Sequence, residues 1–326
     1  MNRRTITASV LAAAALLAVT GCQKQNGIAG GNPLSFSVSV TGQEGTRAVL
    51  YNDNAALEAL AAFKCSAYNV TKSTVLFSDE TVSYADSKWS TGTAYTWQPG
   101  ETMTFCAYAP VAATGVTLWT DGITYSCTVA DNAASQTDVM LGYFTGNGQT
   151  SGVANIKFDH PFTAVRFKMG DIKDFIPGFT GISSITISNV YAGGTLDKWS
   201  GSEASFNWTS SGDKTVTMTV GGAKPNAGAD IVGTDANAKA FTLIPQVMSS
   251  KPATITVNYN YNADASGSIV ATINSVPATD NTWKAGKVYT YTVNFKTLAL
   301  TISDSDAVTA WTTDTNPTTV EAGDAE

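Results

Sequence analysis

From residue 34 onward, apolar side chains recur at every second position over much of this chain. Leu34, Phe36, Val38 and Val40 alternate with Ser35, Ser37 and Ser39, and far downstream Tyr289, Tyr291, Val293 and Phe295 alternate with Thr290, Thr292 and Asn294. Successive side chains of a strand point to opposite faces, so this pattern buries one face of a sheet and wets the other. Comparable patterns predict strands over residues 63–67, 102–108, 153–158, 165–169, 182–190, 216–220 and 255–261. Asp121-Gly122 lies between the stretches 116–120 and 123–128 and predicts a two-residue hairpin turn with positive φ. Gly221-Gly222 and residues 262–267 punctuate later strands. Residues 54–60, where Ala and Leu follow the capping types Asp53 and Asn54, form the one stretch that reads as a helix.

The expectation is an all-β protein. Many short strands without a βαβ rhythm predict sandwiches rather than a parallel sheet. The 326 residues exceed what one hydrophobic core normally organises, so two domains are expected, 34–160 and 161–313, divided near Pro161. Residues 314–326 form a polar, acidic tail. Only 14% of residues are charged against 43% hydrophobic, so Thr, Ser and Asn must supply much of the wetted surface. The 19 Lys and Arg against 26 Asp and Glu leave a formal charge of −7, which argues against a nucleic-acid partner.

Residues 1–21 read as a signal peptide, with Arg3 and Arg4 before an apolar run over 6–19 that is too short to span a bilayer. The run ends in Leu17-Ala18-Val19-Thr20-Gly21-Cys22, which resembles a bacterial lipobox. Cys22 is then the lipidated mature N-terminus, and 22–33 is a linker. An ordinary leader cleaved at small residues is the alternative. No later segment is an apolar run of about 18 residues, so the lipid is the expected membrane attachment. Three cysteines follow, Cys65, Cys106 and Cys127, an odd number that cannot all pair within the chain. A Cys65–Cys106 disulfide and burial as free thiols both remain open.

Several motifs in order carry a resemblance. Leu34-Ser35-Phe36-Ser37-Val38 is followed by Thr46-Arg47-Ala48, then Tyr95-Thr96-Trp97-Gln98-Pro99-Gly100 and Phe105-Cys106-Ala107-Tyr108-Ala109-Pro110. Ile156-Lys157-Phe158-Asp159-His160 and a late Trp311 complete the series. In this order, after a lipobox, they resemble the fimbrillin family, the pilins and pilus-like lipoproteins of Bacteroidales. Cys106 departs from the larger apolar or aromatic residue expected there. The resemblance implies two tandem transthyretin-like β-sandwich domains and no enzymatic activity. It further implies that a surface trypsin-like protease cuts between Arg47 and Ala48, releasing the strand of Leu34, Phe36, Val38 and Val40. A C-terminal strand of another pilin subunit then fills the slot. The donor in this chain would comprise Leu298, Leu300 and Ile302, with Val308 and Ala310 extending it. That segment folding back on its own domain, and Arg47 as an ordinary loop residue, are the alternatives. The implied place is a fimbria at the outer membrane, with a host or bacterial glycan or protein as receptor.

Catalysis finds little support. His160 is the only histidine and reads as a structural residue at a strand end; no nucleophile elbow or phosphate loop occurs. Asp304, Ser305 and Asp306 lack the glycine and glutamate of an EF-hand loop and read as an exposed turn. No cofactor or metal is expected. The seven tryptophans Trp89, Trp97, Trp119, Trp199, Trp208, Trp283 and Trp311 keep a second function open, a surface carbohydrate-binding lipoprotein. Two or three of them in a flat exposed row would favour it.

Overall fold

The alternating segments become strands in the structure, a computed structural model. It describes residues 31–40, 54–148, 152–171, 178–202, 206–262, 265–276, 281–295, 299–302 and 319–321. The protein is almost wholly β, and the helix expected over 54–60 is present as Asn54–Ala59, docked by its buried Leu57. No described helix is long and apolar enough to cross a membrane.

Seven strands close on themselves. Their order is Met140–Asn147, Val153–Asp159, Ser35–Val40, Lys88–Thr91, Thr74–Ala85, Ala62–Asn69 and Thr102–Ala109, which returns to Met140–Asn147. Two stacked sheets were the expectation for this region. The ring differs from them by one thin seam, because Ser35–Val40 meets Lys88–Thr91 through a single residue pair, Phe36 with Trp89. Its interior is aromatic. Phe36 meets Phe63 and Phe105 edge to face, with centroids 6.2 and 6.1 Å apart, and Phe63 meets Phe158 the same way at 5.3 Å.

The barrel wall serves two cores at once. Along Thr102–Ala109, Met103, Phe105, Ala107 and Ala109 point into the barrel, while Cys106 and Tyr108 join a second and larger cluster. Strict alternation makes this possible, since a strand buried on both faces sends odd and even positions to different cores. Two further sheets hold the second core. One runs Asp230–Ile231, Thr163–Met169, Val288–Asn294, Ala299–Ile302 and Thr319–Glu321, with Phe241–Leu243 also on Thr163–Met169. The other runs Ala265–Ile273, Ala253–Tyr261, Phe179–Trp199, Ile123–Thr128 and Val116–Leu118, with Trp208–Ala223 also on Phe179–Trp199.

The hairpin of Val116–Leu118 and Ile123–Thr128 therefore lies upstream of 160 in sequence, yet its second strand pairs with Phe179–Trp199. A cut of the chain at 160 would pass through this sheet. The turn also differs from the two-residue expectation: residues 119–122 form the loop, closed by the Trp119 N–H donating to the Gly122 carbonyl at 2.8 Å. Neither Asp121 nor Gly122 adopts positive φ. Glycine is needed there for close approach, because a Cβ would sit 2.7 Å from Lys198 Cγ and 2.8 Å from the Trp199 carbonyl oxygen.

Candidate functional site

The leading strand Ser35–Val40 is the element to which the sequence attaches a function. Its serines face outward, Phe36 and Val40 are buried in the barrel core, and Leu34 and Val38 pack against that core while half-buried. On one side it runs parallel to Val153–Asp159 over six residue pairs, from Ser35 with Val153 to Val40 with Phe158. On the other side its strand partner is the single Phe36–Trp89 pair. Beyond these, the Leu34 N–H donates to the Tyr95 carbonyl at 2.9 Å, and the Val40 N–H to Asn54 Oδ1 at 3.1 Å.

A second strand provides the contrast. Thr163–Met169 lies parallel to Val288–Asn294, again over six pairs, but its other side is covered by Asp230–Ile231 over two pairs and Phe241–Leu243 over three. Both cores thus contain a strand laid parallel on a later one, and only the leading strand is thinly held on its free side. The remaining six barrel strands form an unbroken series of pairings without it. Its side chains fill a slot whose floor includes Phe63 and Phe105.

The flanking positions Arg47 and Ala48, and the lipidation position Cys22, lie outside the described residues. So do Leu298, Val308 and Ala310 of the expected donor, together with Asp304, Ser305, Asp306 and Trp311. Ala299–Ile302 is described, and it pairs antiparallel with Val288–Asn294, Leu300 opposite Val293 and Ile302 opposite Tyr291. Leu300 is fully buried in the second core, and Thr319–Glu321 flanks this strand on its outer side. In the monomer, then, this strand lies on the sheet of its own chain.

The three thiols are free. Cys106 stands opposite Ser66, one residue along from Cys65, so Cys65 faces the barrel interior and Cys106 the second core. Side chains on opposite faces of a sheet cannot meet the disulfide geometry, which removes the Cys65–Cys106 bridge. Cys106 is small where the barrel wall meets the loop carrying Gly122, whose backbone its thiol approaches. His160 is buried, its Nδ1 2.9 Å from the buried Asp138 carboxylate, as a packed structural residue would be. Among the described residues no cluster of three or more His, Cys, Asp or Glu is arranged to hold a metal.

Nor do the tryptophans form a platform. Trp89, Trp97, Trp199 and Trp283 are buried, Trp208 is half-buried and stacks on Phe162, and Trp119 is 49% exposed without an exposed neighbour of its kind among the described residues. Sequence reasoning missed Trp89 as the seam partner of the leading strand. The signal, one aromatic in the short strand Lys88–Thr91, is too local to specify a contact across the barrel.

A family model described as fimbrillin-like matches residues 46–311. No curated protein matches the sequence. Among solved structures, a fimbrial protein from Bacteroides vulgatus ATCC 8482 is similar with a TM-score of 0.54 at 13% identity, over 83% of this chain and 98% of that one. A protein assigned to cell adhesion from Bacteroides uniformis ATCC 8492 is similar with a TM-score of 0.50 at 16% identity, over 80% and 92% of the two chains. At these identities the likeness is one of fold.

Proposed function

Because the chain belongs to the fimbrillin-like family, and its leading strand fills a slot in a barrel that is otherwise continuous, we propose that it is a structural or adhesive subunit of a cell-surface fimbria. In this proposal the chain is exported as a lipoprotein, held at the outer membrane through Cys22, and cut between Arg47 and Ala48 by a surface trypsin-like protease. Removal of the strand Ser35–Val40 exposes the backbone of Val153–Asp159 along six residue pairs and empties the places of Phe36 and Val40. Unpaired strand edges beside vacated apolar pockets strongly favour refilling by another strand. The donor is the C-terminal strand of another subunit, the segment of Leu298, Leu300 and Ile302 with Val308 and Ala310 beyond it.

One observation carries the proposal: six residue pairs secure the leading strand on one side, and one secures it on the other. An element bound in this way can leave after cleavage while six barrel strands keep their partners. The donor segment must first leave its own sheet, where Ala299–Ile302 pairs with Val288–Asn294. The carbohydrate-binding lipoprotein is the less favoured reading, since the tryptophans form no exposed row among the described residues. Limited trypsin treatment of the purified precursor tests the proposal. Monomer should convert into ladders that resist mild denaturant, and Arg47→Ala should stay monomeric. Ladders in equal amount from uncut protein would refute it.

A further inference from the structure

Two polar side chains with unused hydrogen-bonding capacity, Tyr125 and Gln136, border the same cleft. Its volume is ≈450 Å³, and its wall runs from residues 112–114 through 125–130 to 135–137 and Val139, with Phe162 and Thr242. Sites that hold small molecules span roughly 300–1,000 Å³, so a sugar ring fits with room for a substituent. The Tyr125 side chain is only 6% exposed, but its hydroxyl is not sealed from solvent and has no hydrogen-bond partner among the described residues. Nε2 of Gln136 is buried and likewise without a partner, while Oε1 of the same side chain accepts the Thr242 N–H at 2.7 Å. Buried polar atoms are nearly always paired, so the unpaired Gln136 Nε2, in the same wall as a Tyr125 hydroxyl that has no protein partner, indicates groups kept for something that enters.

The chemistry of the wall narrows the ligand. It carries six serine and threonine side chains, Thr114, Thr128 and Thr242 among them, and no Asp, Glu, Lys, Arg or His. A charged ligand would lose its water there without a counter-ion, at a cost of several kcal/mol. Rings back the site: Tyr125 and Phe162 meet edge to face at 5.7 Å, and Phe162 stacks on Trp208 at 5.4 Å. The ligand must therefore be neutral, accept a hydrogen bond from an amide N–H, exchange hydrogen bonds with hydroxyls and bring an apolar face to an aromatic wall. A pyranose does all four. We propose that this cleft binds a neutral sugar residue, oriented by the Tyr125 hydroxyl and the Gln136 carboxamide. The site belongs to the monomer and does not depend on strand exchange.

Saturation-transfer NMR and calorimetry on the full chain test it, with glucose, galactose, fucose and N-acetylglucosamine as probes. Sialic acid, glucuronic acid and a tetra-alanine peptide serve as controls. At least one neutral sugar should bind saturably at millimolar concentration or below, and the acids and the peptide should not. Tyr125→Phe removes only the orphan hydroxyl, and Gln136→Glu keeps the oxygen that accepts from Thr242. Each should weaken binding about tenfold, the effect of roughly one hydrogen bond, and Tyr125→Phe should do so with a near wild-type melting temperature. Trp119→Ala, outside the cleft, should bind as wild type does. No saturable sugar binding, binding of the acids or the peptide instead, undiminished binding by the Tyr125→Phe/Gln136→Glu double variant, or loss of binding on Trp119→Ala would each overturn the assignment.

Discussion

A buried thiol resists ionisation because the thiolate would lose its hydration. Burial pushes Cys106 up to about 12 and Cys127 up to about 11 from an ordinary 9.0, and it raises Cys65 as well. The unfolded chain releases these protons near 9.0, whereas the folded chain keeps them. Their contribution to stability is thus complete below that pH and is lost as pH rises through the folded values. The melting temperature should fall as pH rises from about 9 towards about 11, and fall less in Cys127→Ala, by scanning calorimetry. Parallel curves for the two proteins would contradict this account of Cys127. Much at this scale was legible in the sequence: Phe36 and Val40 are buried and Ser35, Ser37 and Ser39 are exposed as alternation requires. Gly122 was legible as a turn residue, but the reason for it was not, since the approach of Lys198 and Trp199 depends on a strand about seventy-five positions away.

Elements differ in how firmly the sheets hold them, and this difference is measurable. Thr163–Met169 has strand partners on both sides, whereas Ser35–Val40 has one full partner and a single closing pair. Local opening follows local pairing, so hydrogen exchange should release amides of the leading strand well before those of Thr163–Met169. Equal protection of the two would mean that the leading strand opens only with the whole fold. The C-terminal strand makes the opposite demand. Leu300 is buried in its own monomer, and a carboxylate there costs several kcal/mol, so Leu300→Asp should lower the precursor's melting temperature as well as block assembly. A precursor that melts unchanged while assembly fails would place Leu300 in the inter-subunit slot alone. Helix, strands and many strand centres were predictable, because a local period sets them. The single strand Phe179–Trp199 was read only over 182–190, because the bulge between Ile187 and Val190 breaks its period.

For the whole molecule, alternation specifies which face is buried but not what buries it. That is why the β class could be read from the chain, while the closing of seven strands into a barrel and the passage of the hairpin 116–128 into the second sheet could not. Both rest on pairings between distant residues, such as Phe36 with Trp89 and Gly193 with Thr128. The same topology gives the functional account its central claim: the leading strand is a removable part of the fold, and assembly begins when it is gone. Mass spectrometry of the subunit N-terminus in polymers sheared from cells tests this most directly. The account predicts chains that begin at Ala48 and lack Leu34, Phe36, Val38 and Val40; polymers whose subunits retain that strand would contradict it.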